Sequence, residues 1–266
     1  MRQPPLIEIR DATIWRGETR VFESLTLTVD QGEHVAVLGP NGSGKSTLLM
    51  AIARELYPVA RPDTVFRILG RERWNVWDLR SQLGIVSHDL QARYSPGAAA
   101  LDVVASGFYS SIGTHCDDET ERGRALDILR ELGIENLRDT AFERMSTGQQ
   151  RRCLLGRSLV HEPDTLILDE PTAGLDPAAS FDYLARIREL AADGRSLVLV
   201  THHVNEIPPE IDRVVLLRDG AVVGDGAKRD MLTSERLSLA FDTAMTVHEL
   251  EGYFVAVPDG RGMHET

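Results

Sequence analysis

The sequence predicts an α/β fold: a mixed, mostly parallel core sheet, an antiparallel β subdomain ahead of it, and a helical subdomain inserted in its middle. Three observations carry this. Short apolar runs at Val35–Leu38, Thr165–Leu168, Leu197–Val200 and Val214–Leu217 read as buried strands. Helical stretches separate them, and strands alternating with helices imply crossovers and a mostly parallel sheet. From about residue 88 to about residue 160 the strand signal gives way to helical periodicity.

Leu6–Thr13 and Ser24–Val29 alternate in strand fashion around a turn at Arg16-Gly17-Glu18-Thr19, an antiparallel flap leading into the core strand at Val35. A helix is expected over Ser46–Leu56, then a proline-bearing connection over Pro58–Asp63 and a strand at Val65–Leu69. Asp78–Gln82 reads as helix and Leu83–Ser87 as strand. In the inserted block, Ala125, Ile128, Leu129 and Leu132 fall on one helical face. A further helix opens at Met145-Ser146 and runs to about Val160, with Ser146 or Thr147 as its N-cap. A helix over Pro177–Ala192 and a strand at Ala221–Val223 complete the core. The main domain is expected over residues 1–235 and a C-terminal extension over 236–266, mixed in character from Leu237 and mobile from Asp259.

Composition narrows the function. The chain has 266 residues, 42% hydrophobic and 26% charged, in the range of ordinary globular proteins. A net charge of −12 argues against a nucleic-acid binder with a large basic face. No apolar run approaches the length of a membrane span and no signal-like start is present, so a soluble, intracellular chain is expected. Cys116 and Cys153 are the only cysteines and are expected to be free thiols.

The run Gly39-Pro40-Asn41-Gly42-Ser43-Gly44-Lys45-Ser46-Thr47 fits G-x-x-x-x-G-K-[ST] and sits between a buried strand and a helix. Glycines let the backbone curl so that N–H groups converge on phosphates, and the helix N-terminus adds its positive end. Lys45 is expected to reach the β- and γ-phosphates and Ser46 to hold Mg²⁺. Thr165-Leu166-Ile167-Leu168-Asp169-Glu170 is an apolar strand ending in two carboxylates. Asp169 is suited to Mg²⁺ and Glu170 to polarising the attacking water. His115-Cys116-Asp117-Asp118 has no second ligand pair at a zinc spacing and reads as a loop capped by Asp117 or Asp118. His203 reads as a helix-start residue, and Arg151 and Arg152 as ion-pairing residues on a helix surface.

This set resembles the nucleotide-binding subunit of ATP-binding cassette (ABC) transporters, from Leu6 to about Leu232. Beyond the phosphate loop and the strand ending in Asp169 and Glu170, the family's signature appears as Met145-Ser146-Thr147-Gly148-Gln149, its D-loop as Ala173-Gly174-Leu175-Asp176 and its switch histidine as His202. The resemblance implies ATP and Mg²⁺ as cofactors and two cassettes paired head to tail. Each ATP would lie between one phosphate loop and the partner's Ser146, Thr147, Gly148 and Gln149. It implies that Glu170, His202 and Lys45 serve hydrolysis and that Trp15 stacks on adenine. It implies a transmembrane permease as partner, at the inner face of the cell membrane. The pattern departs at Thr147, where glycine is usual, and at the family's Q-loop glutamine. Aligned without a gap, that glutamine position is His88; a short local insertion makes it Gln91, the residue assigned here to the metal with Ser46 and Asp169.

Ser87–Gln91 and Ser106–Gly113 resemble a smaller branch of molybdate- or iron-transport ATPases. Phe241–Val257 is similar to the tails of metal–siderophore and cobalamin import cassettes. The expected function is therefore ATP hydrolysis that energises a transporter, an importer of a metal or metal complex. A soluble cassette acting without a permease is the alternative, and the single cassette without a charged linker disfavours it. A regulatory module that does not turn over is disfavoured by intact Glu170 and His202.

Overall fold

The computed structural model describes residues 3–87, 90, 94, 97–112 and 116–259. Its strands are β1 (Ile7–Arg16), β2 (Thr19–Val29), β3 (Val35–Leu38), β4 (Val65–Ile68), β5 (Leu83–Val86), β6 (Thr165–Asp169), β7 (Ser196–Thr201), β8 (Arg213–Arg218), β9 (Ala221–Ala227), β10 (Met245–Leu250) and β11 (Tyr253–Pro258). Its helices are α1 (Lys45–Ile52), α2 (Val76–Gln82), α3 (Ala100–Ala105), α4 (Glu119–Glu131), α5 (Thr147–Leu159), α6 (Pro177–Ala192), α7 (Lys228–Met231) and α8 (Ser234–Phe241). They form two compact units, one from the residues up to Trp74 together with those from Leu197 onward, the other from Asn75 to Ser196.

In the first unit β2, β1 and β4 form an antiparallel sheet in that order. On β2, Leu25, Leu27 and Val29 are buried while Thr26 and Thr28 are exposed, the alternation of a sheet with one wet face. β3 is buried at every residue and lies parallel to β7 on one side and β8 on the other. A strand with neighbours on both sides and cover on both faces reads as a continuous apolar run, which Val35–Leu38 is. β9 pairs antiparallel with β8, so the sheet is mixed.

α1 is shorter than expected, ending at Ile52 rather than near Leu56. Arg54 takes a left-handed backbone (φ 60°), which stops the helix. Its guanidinium turns inward, donates to the carbonyls of Phe66 and Arg71, and lies over the Phe66 ring at 4.7 Å. The C-terminal stretch is more regular than the mixed character expected for it. α8 is followed by a β10–β11 hairpin closed by Glu251 and Gly252, both at positive φ. A glutamate in that conformation is an uncommon turn residue, so the usual Asn-Gly or Asp-Gly signal is missing. The tail beyond Asp259 lies outside the described residues.

In the second unit β5 and β6 pair in parallel. Three of the helices begin where a side-chain oxygen caps them. Asn75 accepts from the Trp77 N–H, Asp118 from those of Thr120 and Glu121, and Asp176 from that of Ala179, with Pro177 at the first helical position. Asp118 is thus the cap foreseen in the His115–Asp118 run, and His115 itself lies outside the described residues. Ala125, Ile128, Leu129 and Leu132 are buried as the periodicity of α4 required. Gly156 lets α5 come close: an added Cβ would stand 3.0 Å from Ile128 and Leu132.

Candidate nucleotide site

The phosphate loop hangs from the end of β3. The Gly39 N–H donates to the Thr201 carbonyl at the end of β7, and Ser43 N–H turns back to the Pro40 carbonyl. Two glycines are demanded by space. A Cβ on Gly39 would lie 2.2 Å from the Leu217 carbonyl oxygen, and one on Gly44 would lie 2.7 Å from the Phe22 ring, where φ is also +107°. Gly44 is the N-cap of α1, and no side chain caps that end. The first-turn amides of α1 are therefore the donors an anion would use. Asn41, Gly42 and Ser46 are exposed, whereas Ser43, Lys45 and Thr47 are buried.

Lys45 folds into the loop and donates to the carbonyls of Gly39 (2.8 Å) and Pro40 (2.9 Å). Its ammonium is thus held inside the loop, close to the backbone. The Ser43 hydroxyl is buried and has no hydrogen-bond partner among the described residues. A buried hydroxyl without a partner is costly, and a phosphate oxygen is the kind of acceptor that satisfies it. The cradle therefore fits a nucleotide's phosphates.

Further residues of the first unit bear on the site. Trp15, on β1, is 44% exposed, so it is not a core tryptophan and its ring is open to a stacking partner. His202 follows β7 and is half-buried, its ring 3.8 Å from that of His203. Thr201 donates its hydroxyl to the Glu206 carboxylate and accepts from the His203 N–H, so the segment after β7 is folded back on itself. His203 starts the short 3₁₀ turn Val204–Glu206.

The second unit carries the other motif residues. Asp169 ends β6, half-buried, and Glu170 follows it in a left-handed backbone (φ 45°). A non-glycine residue held there stores strain, and such strain gathers at working sites. Ser146 is the N-cap of α5 and forms a capping box with Gln149: its hydroxyl accepts from the Gln149 N–H, and the Gln149 amide oxygen accepts from the Ser146 N–H at 2.9 Å. Ser146 and Thr147 are exposed and Gly148 is buried, its missing Cβ 3.2 Å from Ala179. The departure at Thr147 is therefore accommodated in solvent. Gly148 is the tighter position, where an added Cβ would press on Ala179.

One side chain is placed otherwise than expected. Arg152 does pair with Asp182 at the surface, but Arg151 is fully buried and donates to the Ala173 carbonyl at 3.2 Å. The reason is local: α5 turns residue 151 toward α6, where Ala173 lies just ahead of that helix. The residues Ala173–Asp176 are thus tied to α5, a link the sequence did not reveal. Both Q-loop candidates, His88 and Gln91, lie outside the described residues. Cys116 and Cys153 are free, as expected, and both are buried. Among the described residues no group of His, Cys, Asp and Glu is arranged to hold a metal ion by itself. The Ser46 hydroxyl in the first unit and the Asp169 carboxylate in the second are each hard-oxygen donors of the kind a divalent cation takes. Among the described residues no helix is long and apolar enough to cross a membrane.

Comparison with known proteins agrees with this geometry. The family described as ABC transporter matches residues 22–173. The chain is 33% identical over 248 residues to the uncharacterized ABC transporter ATP-binding protein YlmA of Bacillus subtilis, covering 91% of this chain and 93% of that protein. It is 35% identical over 230 residues to the cobalt import ATP-binding protein CbiO of Rhodobacter capsulatus, covering 84% and 79%. The dimeric, post-hydrolysis structure of the ATP-binding cassette MJ0796 bound to ADP and Pi superimposes with a TM-score of 0.67 at 26% identity, covering 83% of this chain and 98% of that one. A cradle that fits phosphates, a strand ending in two carboxylates and a capped signature helix thus coincide with that likeness, and the chain belongs to the ABC transporter family as one of its ATP-binding, ATP-hydrolysing cassettes.

Proposed function

We propose that this cassette powers a membrane importer of a metal ion or metal complex, working as a pair of identical subunits on a transmembrane permease at the inner face of the membrane. The observation that carries the reading is the start of α5. Ser146 and Thr147 stand exposed at the N-terminus of a 13-residue helix whose capping box holds it in shape. A helix end of this kind attracts an anion, and in a head-to-tail pair the anion is the γ-phosphate held by the other subunit. The likeness to a cobalt import protein supports the metal cargo, and the likeness to a dimeric cassette supports the pairing.

In this reading Trp15 stacks on the adenine, while the amides of residues 39–47 and the Lys45 ammonium hold the phosphates. Lys45 exchanges its two carbonyl partners for phosphate oxygens, a charge-assisted bond in place of neutral ones. Glu170 accepts a proton from the attacking water, and His202 contacts the γ-phosphate and helps to orient that water. The Ser146 hydroxyl, the Gly148 amide and their neighbours Thr147 and Gln149 close the site from the partner. Mg²⁺, held by Ser46, Asp169 and Gln91, would neutralise charge on the phosphates when bound.

The test is a Glu170→Gln variant with ATP and Mg²⁺. Its mass by light scattering should double relative to the nucleotide-free protein, and a membrane protein of several spans should co-purify from native membranes. A Glu170→Gln protein that binds ATP and stays monomeric overturns the paired-cassette reading.

A further inference from the structure

The 3₁₀ turn that follows His202 packs against the C-terminal hairpin. β11 packs on the 3₁₀ turn Val204–Glu206, and its Phe254 is buried. One cation fastens the two together. Lys228, at the start of α7, is only 8% exposed and lies at the edge of a cleft of about 280 Å³. Its ammonium donates to three backbone carbonyls: Pro208 (3.1 Å) and Pro209 (3.0 Å), just beyond the 3₁₀ turn, and Gly252 (3.3 Å), in the hairpin turn. The ammonium also faces the Phe254 ring at 5.9 Å. Gly252 sits against Pro209, where an added Cβ would be 3.2 Å away, so the turn and the loop are in close register.

Three carbonyls around one cation make a small cage, filled here by a charge tethered to the chain. The carbonyls come from two segments and the lysine from a third, and the segment of Pro208 and Pro209 leads back to His202 through Glu206 and Thr201. We propose that Lys228 is a positioning residue for hydrolysis: by clamping the C-terminal hairpin onto the segment after β7, it holds His202 in its working place. The proposal rests on the role given to His202 above. Burial pushes the Lys228 pKa down, while Asp212, Glu210 and Glu249 oppose that shift. A buried ammonium saturated by carbonyls is a costly group to place, which favours a specific task over a chance surface contact.

The experiment compares wild type, Lys228→Ala, His202→Ala and the double variant as full chains, measuring kcat and KM for ATP well below each unfolding temperature. Lys228→Ala should lower kcat on the order of tenfold with KM within about twofold. Propylammonium, which can refill the cage, should restore part of kcat. In the His202→Ala background Lys228→Ala should cost nothing further. A folded Lys228→Ala protein with wild-type kcat, or an equal loss with and without His202, overturns the proposal. If Lys228→Ala does not fold, Gly252→Ala replaces it, because its Cβ loosens the turn while leaving the lysine in place. A folded Gly252→Ala protein is then held to the same kcat, KM and His202 criteria. A wild-type rate in His202→Ala alone would overturn the role of His202 itself, a result distinct from any failure of Lys228.

Discussion

The backbone N–H of Gly220 donates to the carbonyl of Ser43 at 3.1 Å, so the β8–β9 turn buttresses the phosphate loop from behind. Gly220 cannot be replaced without moving something. Its φ is +73°, and a Cβ would stand 1.8 Å from the Val21 carbonyl oxygen on β2. Gly220→Ala should therefore destabilise the protein by about 2–4 kcal/mol, from backbone strain plus the displaced strand. It should also weaken ATP binding, although residue 220 lies far along the chain from the loop. Thermal unfolding and nucleotide titration check both, and an alanine variant with unchanged affinity would show that the loop does not depend on this turn.

Glu170 is the residue whose loss should separate binding from chemistry. Glu170→Gln keeps size and shape but cannot take a proton at neutral pH. Turnover should fall on the order of a hundredfold or more, while ATP affinity changes little. Phosphate release against time, beside equilibrium binding, makes the distinction.

Trp15 offers an exposed aromatic face on β1. If the adenine lies on it, Trp15→Ala should raise KM for ATP by about tenfold, equivalent to about 1–2 kcal/mol of stacking. Trp15→Tyr should recover most of that. Tripolyphosphate, which has no base, should bind wild type and Trp15→Ala alike.

Tyr183, on α6, is buried with a hydroxyl that has no hydrogen-bond partner among the described residues. Burial raises its pKa, and the nearby Arg151 opposes this. Tyr183→Phe deletes the unsatisfied oxygen and keeps the ring, so stability should stay level or rise by about 1 kcal/mol. Chemical denaturation reads this directly, and a loss of more than about 1 kcal/mol would mean that the hydroxyl is satisfied by water.

Cys153 sits fully buried on α5, and burial drives its thiol pKa up. Alkylation of the native protein at pH 8 should be slow at this residue and become rapid in denaturant. Mass spectrometry of the tryptic peptide follows it. Fast native labelling would show that α5 opens on the time scale of the reaction.

Much of the site was legible because its chemistry is contiguous. Nine consecutive residues make the phosphate loop, Thr165–Glu170 is one strand and its end, and Ser146 and Gln149 cap one helix turn. Each depends on backbone geometry within a few residues, which composition and spacing encode. The roles proposed for His202 and Trp15 rest only on the order of motifs around them.

Other features arose from contacts that no local pattern records. The sequence read Arg151 as a surface ion-pair partner like Arg152, yet the packing of α5 buries it against the Ala173 carbonyl. The β10–β11 hairpin closes on Glu251 at positive φ, a conformation its residue type does not announce. Gly220 meets Ser43, and Lys228 meets Pro208, Pro209 and Gly252, across separations set by strand pairing. Local residue order thus decides which groups can do chemistry, since their geometry is local. Which groups hold them in place is decided by packing, because a buried glycine or ammonium acquires its partners only when distant segments are brought together.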